Sequence, residues 1–556
     1  GGSMFPLIRL LLPQNESVRP KYRLKQTTVA MTYIESLHLE KSSTDASRLK
    51  FWKNPTKGNI KASTYGAGDF CSILEDVLKS RITLELSDHT IGDVNTVLDE
   101  LANEKDKVSV IRMKILNKYS ALEQKWLMRI VFQDMKIGLK DETVLKNLTP
   151  LALQRFNECS DLRLVCTELA KGTLSSRVGE QGPTGVVMTK GIELFAPVSP
   201  MLAKRFHESG QIVEVEAAMK GHPFVMDVKL DGERILCHIK DGKGMFYSRN
   251  QTDYSRHYKH LLSDVLANVK CSACILDGEV CAWDPVTKKY VPFGSNKTMA
   301  RQEDDARING EEIGDDDGRL VYVVFDILYL EGLHVDGMPV DDISRLVPPE
   351  RVVPNLDNVT PACRKDVTDA FSRPKSSHSS GEILHLPLLA RRTLLSLAVS
   401  FIPKRLEFIR SESVSCNVVL ERQNAVEEFF SHVTGDGEEG LVVKDGLSPY
   451  HLGARSRQSG MWVKMKPEYS DMTRDLDLII LGAYYGEGKG YRGQGLSTFL
   501  CGVKDDSDSH YAMTASNERN TSSSPILKYK TLCKVGTGYS ESELDEIRAR
   551  LRDVAV

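Results

Sequence analysis

Residues 224–239 read Phe224-Val-Met-Asp-Val-Lys229-Leu-Asp-Gly-Glu-Arg234-Ile-Leu-Cys-His-Ile239. An apolar run, Phe224–Lys229, meets an Asp231-Gly232 bend and then a second apolar run, Ile235–Ile239, so the stretch reads as two short strands joined by a turn. Lys229 closes the first strand and places an amine at the rim of a sheet. On its own it is equally well a surface lysine ahead of a hairpin. Further runs rich in Val, Ile, Tyr and Phe occur at Cys274–Ala282, Leu320–Tyr329 and Leu441–Lys444, which makes this part of the chain a mixed-sheet domain. Beyond Pro467, the runs Leu476–Tyr485 and Thr498–Val503 flank the glycine-rich stretch Tyr485–Gly495, the pattern of a small barrel cut short at Val556.

Upstream of about residue 190 the period is helical. In Ser120-Ala-Leu-Glu-Gln-Lys-Trp-Leu-Met-Arg-Ile-Val-Phe132, the residues Leu122, Trp126, Leu127, Ile130 and Val131 share one face and are expected to be core. Lys125, Arg129 and Lys136 beside them are either a solvated face or contacts to a phosphate backbone. Two stretches read as surface excursions: Glu303–Asp317, with eight acidic residues and no aromatic, and Pro349–Ser380, rich in Pro, Ser and charge.

The whole chain has 556 residues, 41% hydrophobic and 27% charged, which suits several compact domains of a soluble protein. Its longest apolar run, Leu320–Leu330, is interrupted by Asp326 and is too short to span a bilayer, so no membrane association is expected. Gly1-Gly2-Ser3 ahead of Met4 is set aside from the fold reading. Eleven scattered cysteines read as reduced thiols, and Cys271-x-x-Cys274 lacks a second pair to complete a zinc site. Net charge is −3, yet residues 1–200 carry 28 Lys and Arg against 23 Asp and Glu. That mildly basic front permits a nucleic-acid partner without demonstrating one. No G-x-x-x-x-G-K-[ST] element occurs, so a P-loop nucleotide site has no support.

The chemistry lies downstream of Lys229. In order come Ser248-Arg249-Asn250, Leu276-Asp277-Gly278-Glu279, Val324-Phe325-Asp326, Glu439-Gly440-Leu441-Val442-Val443-Lys444 and Trp462-Val463-Lys464-Met465-Lys466. An amine attacks phosphorus only when neutral, and ordinary lysine titrates near 10.4, so a nucleophilic lysine needs neighbouring cations. Lys444, Lys464 and Lys466 supply them, with Lys464 and Lys466 on one face of a strand. Glu279 and Glu439, each next to a glycine at a strand end, are candidate Mg²⁺ ligands. Phe325 is a candidate for stacking on a base, and Arg234 and Arg249 for ribose or phosphate contacts.

This ordered set resembles the core motifs of the covalent nucleotidyltransferases: DNA ligases, RNA ligases and capping enzymes. Over nearly the whole chain it is similar to the eukaryotic ATP-dependent DNA ligases, and most to their branch that serves non-homologous end joining. Phe5-Pro-Leu-Ile-Arg-Leu-Leu-Leu-Pro13, Lys229-Leu-Asp-Gly-Glu-Arg234 and Lys466-Pro-Glu-Tyr469 carry that likeness. It implies a multidomain α and α+β protein with a helical DNA-binding domain at 4–195 and a mixed-sheet adenylation domain at 196–466. The latter would hold an inserted loop at about 337–388. A partial OB-fold β-barrel would occupy 467–556.

It further implies that Lys229 takes AMP from ATP, in a pocket containing Asp227, Val228, Leu230, Arg234, Arg249, Glu279, Phe325, Glu439, Lys444, Lys464 and Lys466. Implied too are Mg²⁺ on Glu279 and Glu439, nicked or broken duplex DNA as partner, and nuclear residence. Where the family usually has glutamate two residues before the lysine, this chain has the shorter Asp227, so base contact is expected to be weaker or water-mediated. The family's last basic motif and the BRCT modules that hold the end-joining scaffold protein find no match before Val556, so slow self-adenylation is expected. The rival readings are an RNA ligase or capping-type enzyme, and a non-catalytic DNA-end-binding scaffold with a vestigial pocket.

Overall fold

The computed structural model describes residues 3–53, 68–174, 189–205, 211–291, 294–308, 317–340, 342–353, 361–374, 380–415, 417–454, 461–467, 478–486, 495–504, 528–536 and 541–552. The chain divides into two compact units, one built from 142–474 with residues 1–3, the other from 4–141 and 475–556.

In the second of these, the front segment is all helical. Its longest described helices, Gln26–Ser36, Phe70–Lys79, Ile91–Asn103 and Ala121–Phe132, close on a core that includes Tyr33, Leu74, Leu98, Ile115 and Met128. Two of them start on capping boxes, Thr90 with Asp93 and Ser120 with Glu123, each satisfying backbone N–H groups that the first turn leaves open. The expected stripe on Ala121–Phe132 is half right. Leu127, Ile130 and Val131 are buried, whereas Leu122 and Trp126 are exposed, because the inward face is rotated toward Gln124, Met128 and Arg129. Arg129 is no free cation: it lies buried on Asp69, and Lys125 pairs with Glu75 and Lys136 with Asp69. The tail segment of this unit supplies a three-stranded antiparallel sheet and the helix Glu541–Arg552. Among the described residues it is an open sheet rather than a closed barrel. The glycine-rich stretch expected at Tyr485–Gly495 falls mostly outside the described residues.

The strands in chain order are β1 (Lys204–Arg205), β2 (Phe224–Val228), β3 (Glu233–Lys240), β4 (Lys243–Ser248), β5 (Ala273–Asp284), β6 (Lys289–Val291), β7 (Arg319–Glu331), β8 (His334–Val335), β9 (Met338–Pro339), β10 (Leu406–Phe408), β11 (Ser411–Val414), β12 (Leu441–Asp445), β13 (Trp462–Met465), β14 (Ile479–Tyr485), β15 (Leu496–Lys504) and β16 (Tyr529–Val535). The last three form the tail sheet. The larger unit contains a five-stranded sheet, β1-β13-β12-β2-β11, and a six-stranded sheet, β10-β7-β5-β3-β4 with β6 on β5.

The period-2 alternation of strand side chains explains how these sheets pack. Leu236, Ile275, Val321 and Val323 point to the core shared with Met226, Val228, Val443 and Val463 of the other sheet. Their neighbours Ile235, Leu276, Leu320, Tyr322 and Val324 point the opposite way, to a second core with Leu394 and Ala398 of helix Leu388–Ala398. Burial on both faces is why β7 reads as an almost unbroken apolar run. Asp326, the polar interruption, is fully buried and bound by both Nε and Nη2 of Arg391 at 2.8 Å.

Both expected excursions hold regular structure among the described residues. Glu303 belongs to helix Asn296–Ile308 and is buried, where it accepts from the Leu320 amide and from Arg405. The stretch expected to be an inserted loop holds the helices Pro349–Val352 and Pro361–Phe371, with Val353, Cys363, Val367 and Ala370 packed against Leu447. Sparse apolar residues suffice there because a neighbouring strand end completes the core. The helices Ala152–Cys159 and Leu162–Ala170 also belong to this unit, with Arg155 buried among Glu158, Glu168 and Glu193.

Candidate active site

Lys229 is the first residue past β2, the strand that lies between β11 and β12 in the five-stranded sheet. Its amide donates to the Gly440 carbonyl at 2.8 Å, which ties the turn after β2 to the turn before β12. Gly440 has φ +129°, and a Cβ there would collide with the Met465 carbonyl oxygen, so only glycine lets the three chain segments meet. Asp227, Val442 and Lys464 pair in one row across β2, β12 and β13. Two rows further along, and so on the same face, Lys444 lies opposite Trp462.

These rows form one wall of a cavity of about 420 Å³. Lys229, Asp227, Val228, Leu230, Arg234, Arg249, Glu279, Phe325, Lys444 and Lys464 all line it, with Trp462 among them. Glu439 and Lys466 stand outside that lining but touch it through Lys229: the Glu439 carboxylate accepts from the Lys229 ammonium and forms an ion pair with Lys466. The structure therefore brings together every site residue expected from the sequence.

Phe325 reaches the cavity through an irregularity in the ladder. Between the pairs Asp277↔Asp326 and Gly278↔Val324, β7 has one residue more than β5, and that residue is Phe325. A bulge of this kind re-aims a side chain that regular pairing would leave between sheets. The Lys444 ammonium lies 4.1 Å from the centre of the Phe325 ring and 4.0 Å from that of Trp462, and pairs with Asp227 at 2.7 Å.

Charge in the cavity is uneven. Burial alone would raise the Asp227 carboxyl, but Arg392 and Lys444 outweigh it and hold the group below the usual carboxylate range. Burial holds the Lys444 ammonium below the usual lysine range, although Asp227 pulls the other way. At Glu439, burial is overcome by the hydrogen bonds from Lys229 and Lys466, and the carboxyl again sits low. Glu279 is the exception: burial pushes it up to about 7 against the pull of Arg234 and Lys229, with Asp277 and Glu439 adding to the rise.

Arg234, expected to contact ribose or phosphate, lines the cavity and is also engaged by the protein. Its guanidinium donates to both oxygens of Asp277, at 3.0 and 2.6 Å, to the Met201 carbonyl and to the Tyr450 hydroxyl. It thus stiffens the cavity wall beneath Phe325, whose ring centre is 5.3 Å away. Arg392, Asp277 and Tyr450 were not singled out by the sequence reading. A signal existed: two arginines in the apolar helix Leu388–Ala398 and two aspartates in apolar strands each demand a partner of opposite charge.

Two family models match the chain. Residues 1–149 match one described as DNA ligase N terminus, and residues 200–368 and 377–466 match the ATP dependent DNA ligase domain, which carries every site residue named above. The chain belongs to the ATP-dependent DNA ligases. Among curated ligases, it is 31% identical to DNA ligase 4 of Dictyostelium discoideum, over 99% of this chain and 47% of that protein. It is 31% identical to DNA ligase 4 of Coprinopsis cinerea, over 99% of this chain and 46% of that protein. For DNA ligase 4 of Arabidopsis thaliana the identity is 29%, with 99% and 39% covered. The chain thus spans less than half the length of each of these relatives.

Proposed function

We propose that the chain is an ATP-dependent DNA ligase that seals 5′-phosphate/3′-hydroxyl breaks in duplex DNA during non-homologous end joining. The observation that carries this is the placement of the Lys229 amine at a cavity whose wall offers the aromatic faces of Phe325 and Trp462, the ionised carboxylate of Asp227 and four further cations, Arg234, Arg249, Lys444 and Lys464. That set suits a purine base at one end and a triphosphate at the other.

In the first step the neutral Lys229 amine forms a bond to the α-phosphorus of ATP, the bond to the pyrophosphate oxygen breaks, and the amine proton passes to water. An oxygen of the DNA 5′-phosphate then attacks the AMP phosphorus and releases Lys229. Finally the 3′-hydroxyl attacks the 5′-phosphorus and AMP leaves. Before the first step, Lys229 must give up its contact with Glu439, and Lys466 on the same carboxylate is placed to compensate that charge. Lys464, in the row with Asp227, faces the incoming phosphates. Phe325 offers its ring to the base.

Mg²⁺ fits Glu279 and Glu439. Burial raises the Glu279 carboxyl to about 7, with the like charges of Asp277 and Glu439 adding to the rise, and a divalent cation held by Glu279 and Glu439 would favour the charged form. When bound, the ion would screen phosphate oxygens and favour the departing pyrophosphate.

In the same reading, residues 4–195 bind DNA, 196–466 adenylate, and 467–556 contribute part of an OB-fold domain. The protein works in the nucleus with an end-joining scaffold protein. The test is incubation with α-labelled ATP and Mg²⁺ beside Lys229→Ala, with denaturing separation and sealing of a pre-adenylated nick. Label on the parent chain and none on the variant is expected. Absence of both label and sealing would overturn the reading in favour of a DNA-end-binding scaffold.

A further inference from the structure

Asp227 is 2% exposed and its two oxygens are unequally used. Oδ2 accepts from Arg392 Nη2 at 2.5 Å and pairs with Lys444 at 2.7 Å. Oδ1 is buried and has no hydrogen-bond partner among the described residues. A buried acceptor left open costs about 1–3 kcal/mol, and an ionised carboxylate can be satisfied only by a donor. Asp227 lines the cavity, so a ligand lying there can supply that donor.

Arg392 is what fixes this geometry. It comes from helix Leu388–Ala398, is itself buried, and does not line the cavity. Besides holding Asp227, it donates through Nε to the carbonyl of Phe325 at 3.1 Å, and the Phe408 ring lies 5.5 Å from its guanidinium carbon. The guanidinium is planar and rigid, so one group sets the position of Asp227 relative to the bulged residue Phe325. Lysine could hold one of these partners but has no second nitrogen at a fixed offset for the other.

We propose that Arg392 is a positioning residue for base selection. By clamping Asp227 Oδ2 and the Phe325 carbonyl together, it presents Asp227 Oδ1 to the edge of a base stacked on Phe325. That acceptor takes the amino group of adenine and repels a carbonyl in the same place. The inference rests on the reading of this cavity as a nucleotide pocket, and concerns which purine it takes.

The test is a calorimetric titration of the intact chain with ATP and with inosine triphosphate, which carries a carbonyl where adenine has its amino group. Parent, Arg392→Lys and Arg392→Gln are compared. The parent is expected to prefer ATP. Arg392→Lys, which keeps the charge and the fold, should weaken ATP about tenfold while leaving inosine triphosphate within about twofold, the loss of one charge-assisted hydrogen bond. Arg392→Gln should weaken ATP further. Equal binding of both nucleotides by the parent would overturn the proposal, as would an unchanged ratio or an equal loss for both nucleotides in Arg392→Lys. Label transfer from α-labelled ATP, run on the same samples, reports separately on the ligase reading. Base preference without label would sink the adenylation chemistry and leave the role of Arg392 standing, and label without base preference would do the reverse.

Discussion

The ammonium of Lys229 rests on the carboxylate of Glu439, a residue 210 positions further along the chain. Lys466 reaches the other oxygen of the same carboxylate. Glu439 therefore decides where the nucleophile waits and shields its charge from a second cation. Glu439→Gln should leave Lys229 unanchored and slow protein labelling by about a hundredfold, the cost of misplacing a reacting group by about 1 Å. Both partners are partly solvated, so stability should change by no more than about 1 kcal/mol. Single-turnover labelling and thermal melting of the same preparation check the two halves. A large fall in melting temperature would show that the contact is structural instead.

Glu279 should make stability depend on pH. Its folded-state pKa, near 7, exceeds its ordinary value of 4.5 because burial disfavours the charge. The folded chain therefore binds more protons than the unfolded chain between those values. Its contribution is fully present below about pH 4.5 and is lost as pH rises through about 7. Melting from about pH 5 to about pH 8 should show a decline that Glu279→Gln lacks, and added Mg²⁺ should restore part of it in the parent at the upper end. Identical pH profiles for parent and variant would disprove this.

Gly440→Ala combines two faults, a side chain at φ +129° and a Cβ pressed against the Met465 carbonyl. The hydrogen bond from the Lys229 amide to the Gly440 carbonyl is lost as the segments separate. Destabilisation of about 3 kcal/mol or more is expected, together with loss of labelling, measured by urea unfolding and by label transfer. An alanine variant that labels at the parent rate would show that the turn tolerates another path.

The Asp326–Arg391 pair is fully buried, so removing one partner strands a charge. Arg391→Met should destabilise by about 3–5 kcal/mol, and Asp326→Leu with Arg391→Met should recover part of that, since neither charge is then left alone. Urea midpoints of the single and double variants decide it. A double variant less stable than the single would mean that Asp326 serves more than this pair, through the Ile327 amide that also donates to it at 2.9 Å.

Strands β2, β3, β5, β7 and β12 were legible to within a few residues, because a short apolar run rich in β-branched and aromatic residues between turn residues is a local signal. The site was legible for a different reason: Lys229, Glu279, Phe325, Glu439, Lys444, Lys464 and Lys466 fall in motifs whose order matches a family. What stayed hidden depends on distant partners. Arg129 reads as a surface cation until Asp69, sixty residues earlier, is known to face it. Arg392 reads as one of a helical pair until it meets Asp227, 165 residues earlier. The helix Pro361–Phe371 has too few apolar residues to announce itself, since Leu447 supplies much of what it packs on.

The strand order β1-β13-β12-β2-β11 has a consequence for how the site comes into being. The nucleophile's strand is complete by residue 229, but its neighbours on one side are β12 and β13, which end only at Met465. A chain emerging from the ribosome carries Lys229 for more than two hundred residues before the wall opposite it exists. Pairing across such a separation must overcome the entropy of closing a long loop. The nucleophile, its carboxylate rest and its cations therefore form together at the end of that unit's folding, and a partly made chain has the lysine without the site.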